Sequence, residues 1–291
     1  MRGTIHTKRI LLLSAYTVIA FLIFTVLLFP SEMITRKTEW ALSRHFPGTI
    51  RIKDVSFILP ARVRIRGLEM IVPADEKPFS IVIDRAEAGI DFLSLVKGKI
   101  GIKGKLTKGE GRIQVSVNHR LWGAPARHLS AALTNLAIQD FPVLSQQFGI
   151  HVTGILQGDL DVDWVGKDII NSNGTWSFTI DEGRMIPRQF PAFSYTSITG
   201  EGSITDQHVV IDRVEVQGDD LSLNATGRVR LAYQLQQIFV DTQVGLKVFP
   251  GLRQRLGGFA TLLPTPDTHG FINLFISGPP GDLRFSSRRH R

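Results

Sequence analysis

Residues Arg62–Arg66 read Arg-Val-Arg-Ile-Arg, an unbroken alternation of cationic and aliphatic side chains. Successive side chains of a β-strand point to opposite faces of a sheet, so the aliphatic pair shares one face and the arginines share the other. A helix would mix the two kinds around its circumference. The stretch therefore predicts a strand with one buried face and one wet face.

The same period of two recurs through most of the chain. It is visible at Ile50–Lys53, at Ile81–Asp84 and at Leu156–Trp164. Further strands are predicted over Gly174–Ile180, Gly202–Thr205, Val209–Gln217, Leu221–Leu231, Gln237–Val244 and Gly270–Ser277. Short breaks such as Gly218–Asp220 favour hairpins, hence antiparallel neighbours. We expect a mainly β protein with a long antiparallel sheet.

A few short helices are expected between these strands. Apolar spacing predicts one over Ser31–Phe46, a single turn at Phe92–Val96 and an apolar helix at Leu252–Leu263. Leu129–Phe148 is predicted to be partly helical and interrupted at Pro142.

The stretch Ile10–Phe29 contains no charge, glycine or proline. About 20 apolar residues in a helix cross the hydrocarbon core of a bilayer. A cleaved signal peptide has a shorter apolar run and a small-x-small cleavage site, and a helix that is apolar on all faces is rarely the first element of a soluble domain. We therefore predict a membrane anchor, built on Ile10, Leu11, Leu12, Leu13, Phe21, Leu22, Ile23, Phe24, Leu27, Leu28 and Phe29.

The flanks of this segment set its orientation. Arg2, Lys8 and Arg9 precede it without an acidic residue. The positive-inside rule then places residues 1–9 in the cytoplasm and the chain from residue 30 on the far side of one membrane.

Breaks in the pattern divide the exported part. We expect a first β region at residues 30–118, a linker at 119–130, a second β region at 131–281 and a basic tail at 282–291. The formal net charge is +8. With a membrane anchor present, an anionic membrane surface is a better partner for this charge than nucleic acid. The tail fits either that role or a solvated chain end.

Motifs for catalysis are missing from the sequence. It has no cysteine, which excludes disulfides, thiolate metal sites and cysteine nucleophiles. The H-E-x-x-H and G-x-S-x-G patterns are absent. The glycine- and lysine-rich stretch Gly98–Gly111 lacks phosphate-loop spacing, so strands joined by turns are predicted there. We expect neither an enzyme nor a cofactor.

Three carboxylates alternate along one predicted strand, at Asp159, Asp161 and Asp163. They could hold a hard cation, but an EF-hand loop needs glycine after the third acid, where this chain has Trp164. Spacing along a strand also does not wrap an ion. The pattern favours a solvated face over a metal site.

Two segments resemble a known family. They are Thr49–Val117 and Val152–Val248, and the likeness is carried by Ile50–Ile52, Arg66–Met70, Leu95–Ile100, the Gly-x-Leu-x-Gly-x-Leu run at Gly154–Leu160 and the closing Ile276–Pro279. With the single anchor, this pattern resembles the type II secretion system protein N (GspN) family, within the AsmA-like group of envelope proteins.

The resemblance implies a single-pass inner-membrane protein whose bulk is periplasmic. It implies an accessory or structural role in type II protein secretion, with secretion-system or envelope proteins as partners. The AsmA-like likeness implies an alternative: a curved sheet with an apolar concave face that carries phospholipid between the inner and outer membranes. An apolar sheet face must be covered, either by folding on itself or by lipid or a partner.

Overall fold

A computed structural model describes residues 31–45, 48–58, 61–73, 78–120, 126–141, 150–166, 170–187, 191–232, 237–279 and 282–287. The predicted anchor, the residues expected to set its orientation and the last four residues lie outside these ranges. Within them, no helix is long and apolar enough to cross a membrane.

The described strands form one sheet in which spatial order follows chain order, and every neighbouring pair is antiparallel. They are β1 (Thr49–Ile58), β2 (Arg62–Val72), β3 (Phe79–Asp91), β4 (Lys99–Lys108), β5 (Gly111–Arg120), β6 (Ala126–Ala137), β7 (Ile150–Val165), β8 (Ser172–Pro187), β9 (Phe193–Thr205), β10 (His208–Gln217), β11 (Leu221–Arg230), β12 (Phe239–Val248), β13 (Ile272–Gly278) and β14 (Arg284–Ser286). The predicted mainly β, antiparallel architecture is confirmed.

Three short α-helices accompany the sheet within the described ranges, each overlapping a segment where a short helix was predicted. Helix α1 (Ser31–His45) precedes β1, α2 (Phe92–Val96) joins β3 to β4, and α3 (Pro250–Leu256) follows β12. A 3-10 segment, Gly257–Leu262, extends α3. The stretch Gly98–Gly111 forms β4 and the turn into β5.

The prediction of a partly helical Leu129–Phe148 is wrong for its first part. Leu129–Ala137 belongs to β6, and one 3-10 turn follows at Ile138–Asp140. The run Ala-Ala-Leu-Thr-Asn-Leu-Ala has no clear period of two, but hydrogen bonding on both sides, to β5 and β7, holds it extended. Residues 142–149 lie outside the described ranges.

The residues expected to form a linker, 119–130, lie partly in the sheet. His119 and Arg120 end β5, and Ala126–Ser130 begin β6. Pairing between these two strands continues through His119 and Arg127. Residues 121–125 fall between the described ranges.

The alternation changes phase at one level of the first three strands. In β1 the buried residues Ile50 and Ile52 are followed by buried Val55, an odd step. Gly67 lies at this level of β2 with φ +58°, in the left-handed region that glycine tolerates best, and an added Cβ would lie 2.9 Å from Lys53 Cβ. The shift puts both sets of apolar residues into one core, formed by Ile50, Ile52, Val55, Leu68, Phe79, Ile81 and Ile83.

The two edges of the sheet differ. Helix α1 packs on β1, where the Glu39 carboxylate accepts a hydrogen bond from the Ile52 backbone N–H at 2.7 Å. At the other edge, β14 pairs with only Phe275, Ile276 and Ser277 of β13. The first edge is therefore covered, and the second is covered over less than half of its strand.

Candidate functional site

Cross-strand partners lie on the same face of a sheet, so the strand register defines rows of side chains that run across the strands. The first such row crosses β1 to β13 and contains only apolar residues and glycine. It comprises Val55, Ile65, Ala86, Leu106, Ile113, Leu133, Gly158, Phe178, Gly200, Val214, Ala225, Val244 and Leu274.

Two further rows lie beside the first on the same face. The second crosses all strands through Phe57, Val63, Ala88, Gly104, Val115, Ala131, Leu160, Trp176, Gly202, Ile211, Gly227, Thr242, Ile276 and Phe285. The third crosses β3 to β13 through Ile90, Ile102, Val117, Leu129, Val162, Gly174, Ile204, Val209, Val229, Val240 and Gly278. Together these three rows are called the apolar face.

Among the residues of the apolar face, Thr242 has the one polar side chain, and it is buried. Adjacent strands lie about 4.8 Å apart, so the first row extends over roughly 55–60 Å. Each strand packs chiefly against its neighbours in sequence, with no second sheet over this face in the described part of the chain. The face is thus continuous and largely uncovered.

Helix α3 covers one end of the apolar face. Its Leu252 is buried in a cluster with Tyr195, Ile198, Val216 and Leu221. This cluster and the core at β1–β3 are the two places where apolar side chains are most deeply buried. Between them the face consists mostly of half-buried side chains.

An ion pair holds α3 in this position. The Arg255 guanidinium donates to the Ala192 carbonyl at 2.8 Å and to the Asp220 carboxylate. The hydrogen bond from Arg255, together with one from the Ser194 N–H at 2.9 Å, holds the pKa of Asp220 below its ordinary value.

Near its centre the apolar face is thickened by aromatic rings. Trp176 and Phe178 stack with centroids 5.9 Å apart. Trp176 lies over Gly202, where an added Cβ would collide with the Val210 carbonyl oxygen and lie 2.7 Å from the indole ring. Glycine at this position therefore makes room for both the neighbouring strand and the indole.

An exposed corner of the apolar face lies where α2 joins β3 to β4. Its apolar side chains are Ile90, Phe92, Leu95, Ile100 and Ile102, and each is between 39% and 51% exposed. Exposed Lys97 and Lys99 lie in the same segment. Apolar and cationic side chains together are typical of surfaces that contact anionic membranes. In the sequence, Phe92–Val96 was predicted as a helical turn, and Ile100 and Ile102 were predicted as strand residues.

The opposite, polar face carries charges and small residues. Arg64 Nε lies 2.8 Å from Glu87 Oε1, and Lys103 Nζ lies 2.9 Å from Asp91 Oδ2. A cavity of about 830 Å³ lies against this face, lined in part by Ser116, Ser130, Asp159, Asp161 and Glu201. The resemblance to the AsmA-like group implies a concave apolar face, whereas this cavity lies on the polar face.

The predicted carboxylate run is on the polar face and exposed, as the alternation indicated. Register adds a histidine to it: His128 Nδ1 lies 3.1 Å from Asp163 Oδ1, and His128 Nε2 lies 3.5 Å from Asp161 Oδ2. These three residues could offer ligand atoms to a metal ion. The carboxylate side chains are 53% and 70% exposed, so water solvates them without an ion.

No family model, curated protein or solved structure matches this chain. The resemblance to the GspN family stays a prediction from the sequence. The proposed function therefore rests on the geometry of the two faces of the sheet.

Proposed function

We propose that this protein binds phospholipid and carries its acyl chains along the apolar face. The observation that supports the proposal is the set of three apolar rows, in which the one polar side chain is that of the buried Thr242. The role is binding and transport, without catalysis.

Hydrocarbon fits this face better than a protein partner does. A peptide or protein brings polar groups that need hydrogen-bond partners when buried, and the three rows offer almost none. A contiguous and largely uncovered apolar surface marks an interaction site. An acyl chain needs only contact and exclusion of water.

The setting of the proposal is the inner membrane. The sequence predicts that Ile10–Phe29 anchors the chain, with the sheet in the periplasm. On α1, directly after this segment, Trp40 is 67% exposed and Met33 is 55% exposed. Both fit a helix that lies at the bilayer interface. The proposal includes a curved sheet that carries phospholipid towards the outer membrane.

An accessory role in type II protein secretion is the second candidate. It rests on the resemblance, and the incomplete pairing of β13 favours it, because Ile272, Asn273 and Leu274 have no partner in β14. A strand from an envelope protein could add at this edge. Crosslinking from Asn273 in intact cells, followed by identification of the captured protein, tests this role. Recovery of no secretion-system protein would count against it.

The lipid proposal is tested with a photoreactive phenylalanine analogue placed at single positions of the full chain in its native envelope. Val117 and Leu129 are cross-strand partners on the apolar face. Ser116 and Ser130, one residue away from each of these, are cross-strand partners on the polar face. The four positions therefore lie at nearly the same level of the two strands but on opposite faces of the sheet.

Mass spectrometry of the crosslinked protein gives the result. We expect phospholipid adducts from Val117 and Leu129, at least tenfold more abundant than those from Ser116 and Ser130. Equal adducts from both faces would indicate non-specific membrane contact. Absence of lipid from the apolar positions, with protein adducts in its place, would overturn the proposal.

A further inference from the structure

A fourth row borders the apolar face at the end of the strands near α2. It runs Ile100, His119, Arg127, Trp164 and Ser172, across β4 to β8. Unlike the three rows beside it, it is mostly polar. It lies next to Val117, Leu129 and Val162 of the third row, two residues along each strand.

Arg127 is a cation on a face that is otherwise nearly free of charge. No carboxylate pairs with it among the described residues. Lys108, at the far end of the same face, shows the contrast: its Nζ donates to the Asp140 carbonyl at 2.7 Å and lies 5.2 Å from the Phe141 ring centroid. In the described structure, Lys108 therefore has these two partners, whereas Arg127 has no partner of either kind.

Buried polar atoms that have no hydrogen-bond partner in the described part of the chain flank Arg127 on both sides. They are His119 Nδ1 and Trp164 Nε1, and both residues are cross-strand neighbours of Arg127. Trp164 is only 9% exposed. A buried donor without an acceptor destabilises the fold, so a hydrogen bond to a ligand oxygen is more favourable here than at an exposed site. A third such atom, Trp176 Nε1, lies in the second row.

We infer that Arg127, His119 and Trp164 form a site for the phosphate of a phospholipid head group. A guanidinium suits phosphate because its planar donors match two phosphate oxygens. The indole N–H of Trp164 can donate to a third oxygen, and His119 can donate in the tautomer that carries a proton on Nδ1. The inference rests on the proposed function, since the acyl chains would continue from this site onto Val117, Leu129 and Val162.

The position of the site also explains the exposed corner beside it. Ile100 belongs both to the fourth row and to the exposed apolar group around α2. A lipid that leaves a bilayer at this corner needs to move its head group only from Ile100 in β4 to Arg127 in β6. The exposed Lys97, in the turn after α2, would attract anionic head groups to this corner.

The test follows the indole N–H signals of the full-length protein, labelled with ¹⁵N-tryptophan and held in a delipidated maltoside micelle that contains no phosphate. The chain has four tryptophans, and Trp164→Phe assigns the signal of interest. Three compounds are titrated: dioctanoyl phosphatidylglycerol, dioctanoylglycerol and inorganic phosphate. The variants are Arg127→Gln, Arg127→Lys and a control, Arg120→Gln, at the same end of the sheet on its polar face.

We expect phosphatidylglycerol to shift the Trp164 signal. Arg127→Gln should weaken that binding at least tenfold, Arg127→Lys about threefold, and Arg120→Gln should leave it unchanged. Dioctanoylglycerol should perturb Trp176, in the second row, without the Trp164 shift. Trp176 reports on the apolar face and Trp164 on the head-group site, so the two parts of the proposal are read separately.

Each of the other outcomes overturns a stated part. Equal binding of phosphatidylglycerol and dioctanoylglycerol, unaffected by Arg127→Gln, removes the head-group site and leaves the apolar face as an acyl site. Inorganic phosphate that binds as tightly as the lipid makes this a free-phosphate site. Binding of neither lipid, with the protein folded, removes the proposed function itself.

Discussion

The two faces of the sheet are built from alternate residues of the same strands and follow different rules. The apolar face is continuous over thirteen strands in its first row. The polar face has local pairs, such as Arg64 with Glu87 and Arg213 with Glu215, separated by small side chains. Water can hydrate each polar side chain of the polar face independently. A single charge on the apolar face, in contrast, interrupts the apolar contacts along a whole row.

The largest difference is expected for a charge placed on either face of β1. Val55 is fully buried, and the neighbouring Ser56 lies on the other face, paired across to Arg64. Val55→Asp should lower the free energy of unfolding by more than about 3 kcal/mol, because the carboxylate is buried without a partner. Ser56→Asp should change it by less than about 1 kcal/mol. Urea unfolding of the full chain, followed by tryptophan fluorescence, measures both, and equal losses would contradict the difference between faces.

A smaller difference is expected between two glycines of the apolar face. A Cβ at Gly174 would collide with the Asp161 carbonyl oxygen and lie 2.9 Å from Val162 Cα. At Gly104 the nearest atoms are 3.8 and 3.9 Å away. Gly174→Ala should destabilise by about 1–3 kcal/mol, since the strands must separate. Gly104→Ala should stabilise by about 0.5–1 kcal/mol, since glycine loses the most freedom on folding.

The same unfolding measurement applies to this pair. If Gly104→Ala destabilised as much as Gly174→Ala, the available space on the apolar face would not determine which glycines tolerate an added methyl group. The result would then point to a requirement for glycine itself, for example close approach of a ligand to Gly104.

The smallest effect, and the one that depends on pH, is expected on the polar face. The hydrogen bond from Arg64 lowers the pKa of Glu87 from its ordinary value of 4.5. A lowered pKa stabilises the fold above the ordinary value and loses this contribution as the pH falls through the folded-state pKa. Glu87→Gln should therefore reduce stability by about 0.5–1 kcal/mol at pH 7 and by less in acid below pH 4.5.

Thermal unfolding at pH 7 and at pH 3.5 (values chosen on either side of about 4.5) measures this effect. Val63→Ala, on the apolar face of the same strand as Arg64, is the control, because its loss should be the same at both pH values. A pH-independent loss in Glu87→Gln would show that its side chain acts by packing and not by charge.

Much of the fold follows from the sequence because a period of two specifies a strand and its faces without tertiary information. The strands over Val209–Gln217 and Leu221–Leu231 were predicted to within one residue at each end, whereas the strand predicted over Leu156–Trp164 begins six residues earlier, at Ile150. Glycine and aspartate at Gly218–Asp220 correctly indicated the turn between two of them.

Other features depend on pairing between strands, which no single segment contains. The phase shift at Lys53 and Gly67 breaks the local alternation, and only the register shows that both strands shift at one level. Ala131–Ala137 has no clear period of two and belonged to the segment Leu129–Phe148 that was predicted to be partly helical, although the neighbouring strands hold it extended.

The row around Arg127 left a partial signal in the sequence. Arg127 is in phase with Leu129, Ala131 and Leu133, so a cation interrupts an otherwise apolar alternation. Its neighbours His119 and Trp164 come from other strands, and only the register brings them beside it. The clue available before the structure was a charged residue at a position where the alternation predicts an apolar one.

The chain-order pairing of the sheet bears on how the protein assembles. Each strand needs only the strand before it, so contacts are local in sequence and their formation does not wait for distant segments. With α1 already covering the first edge, strands can be added one at a time to the growing side as the chain is delivered from its N-terminus. Synthesis in that direction would then produce the sheet by simple elongation, with the three-residue β14 as the last strand added.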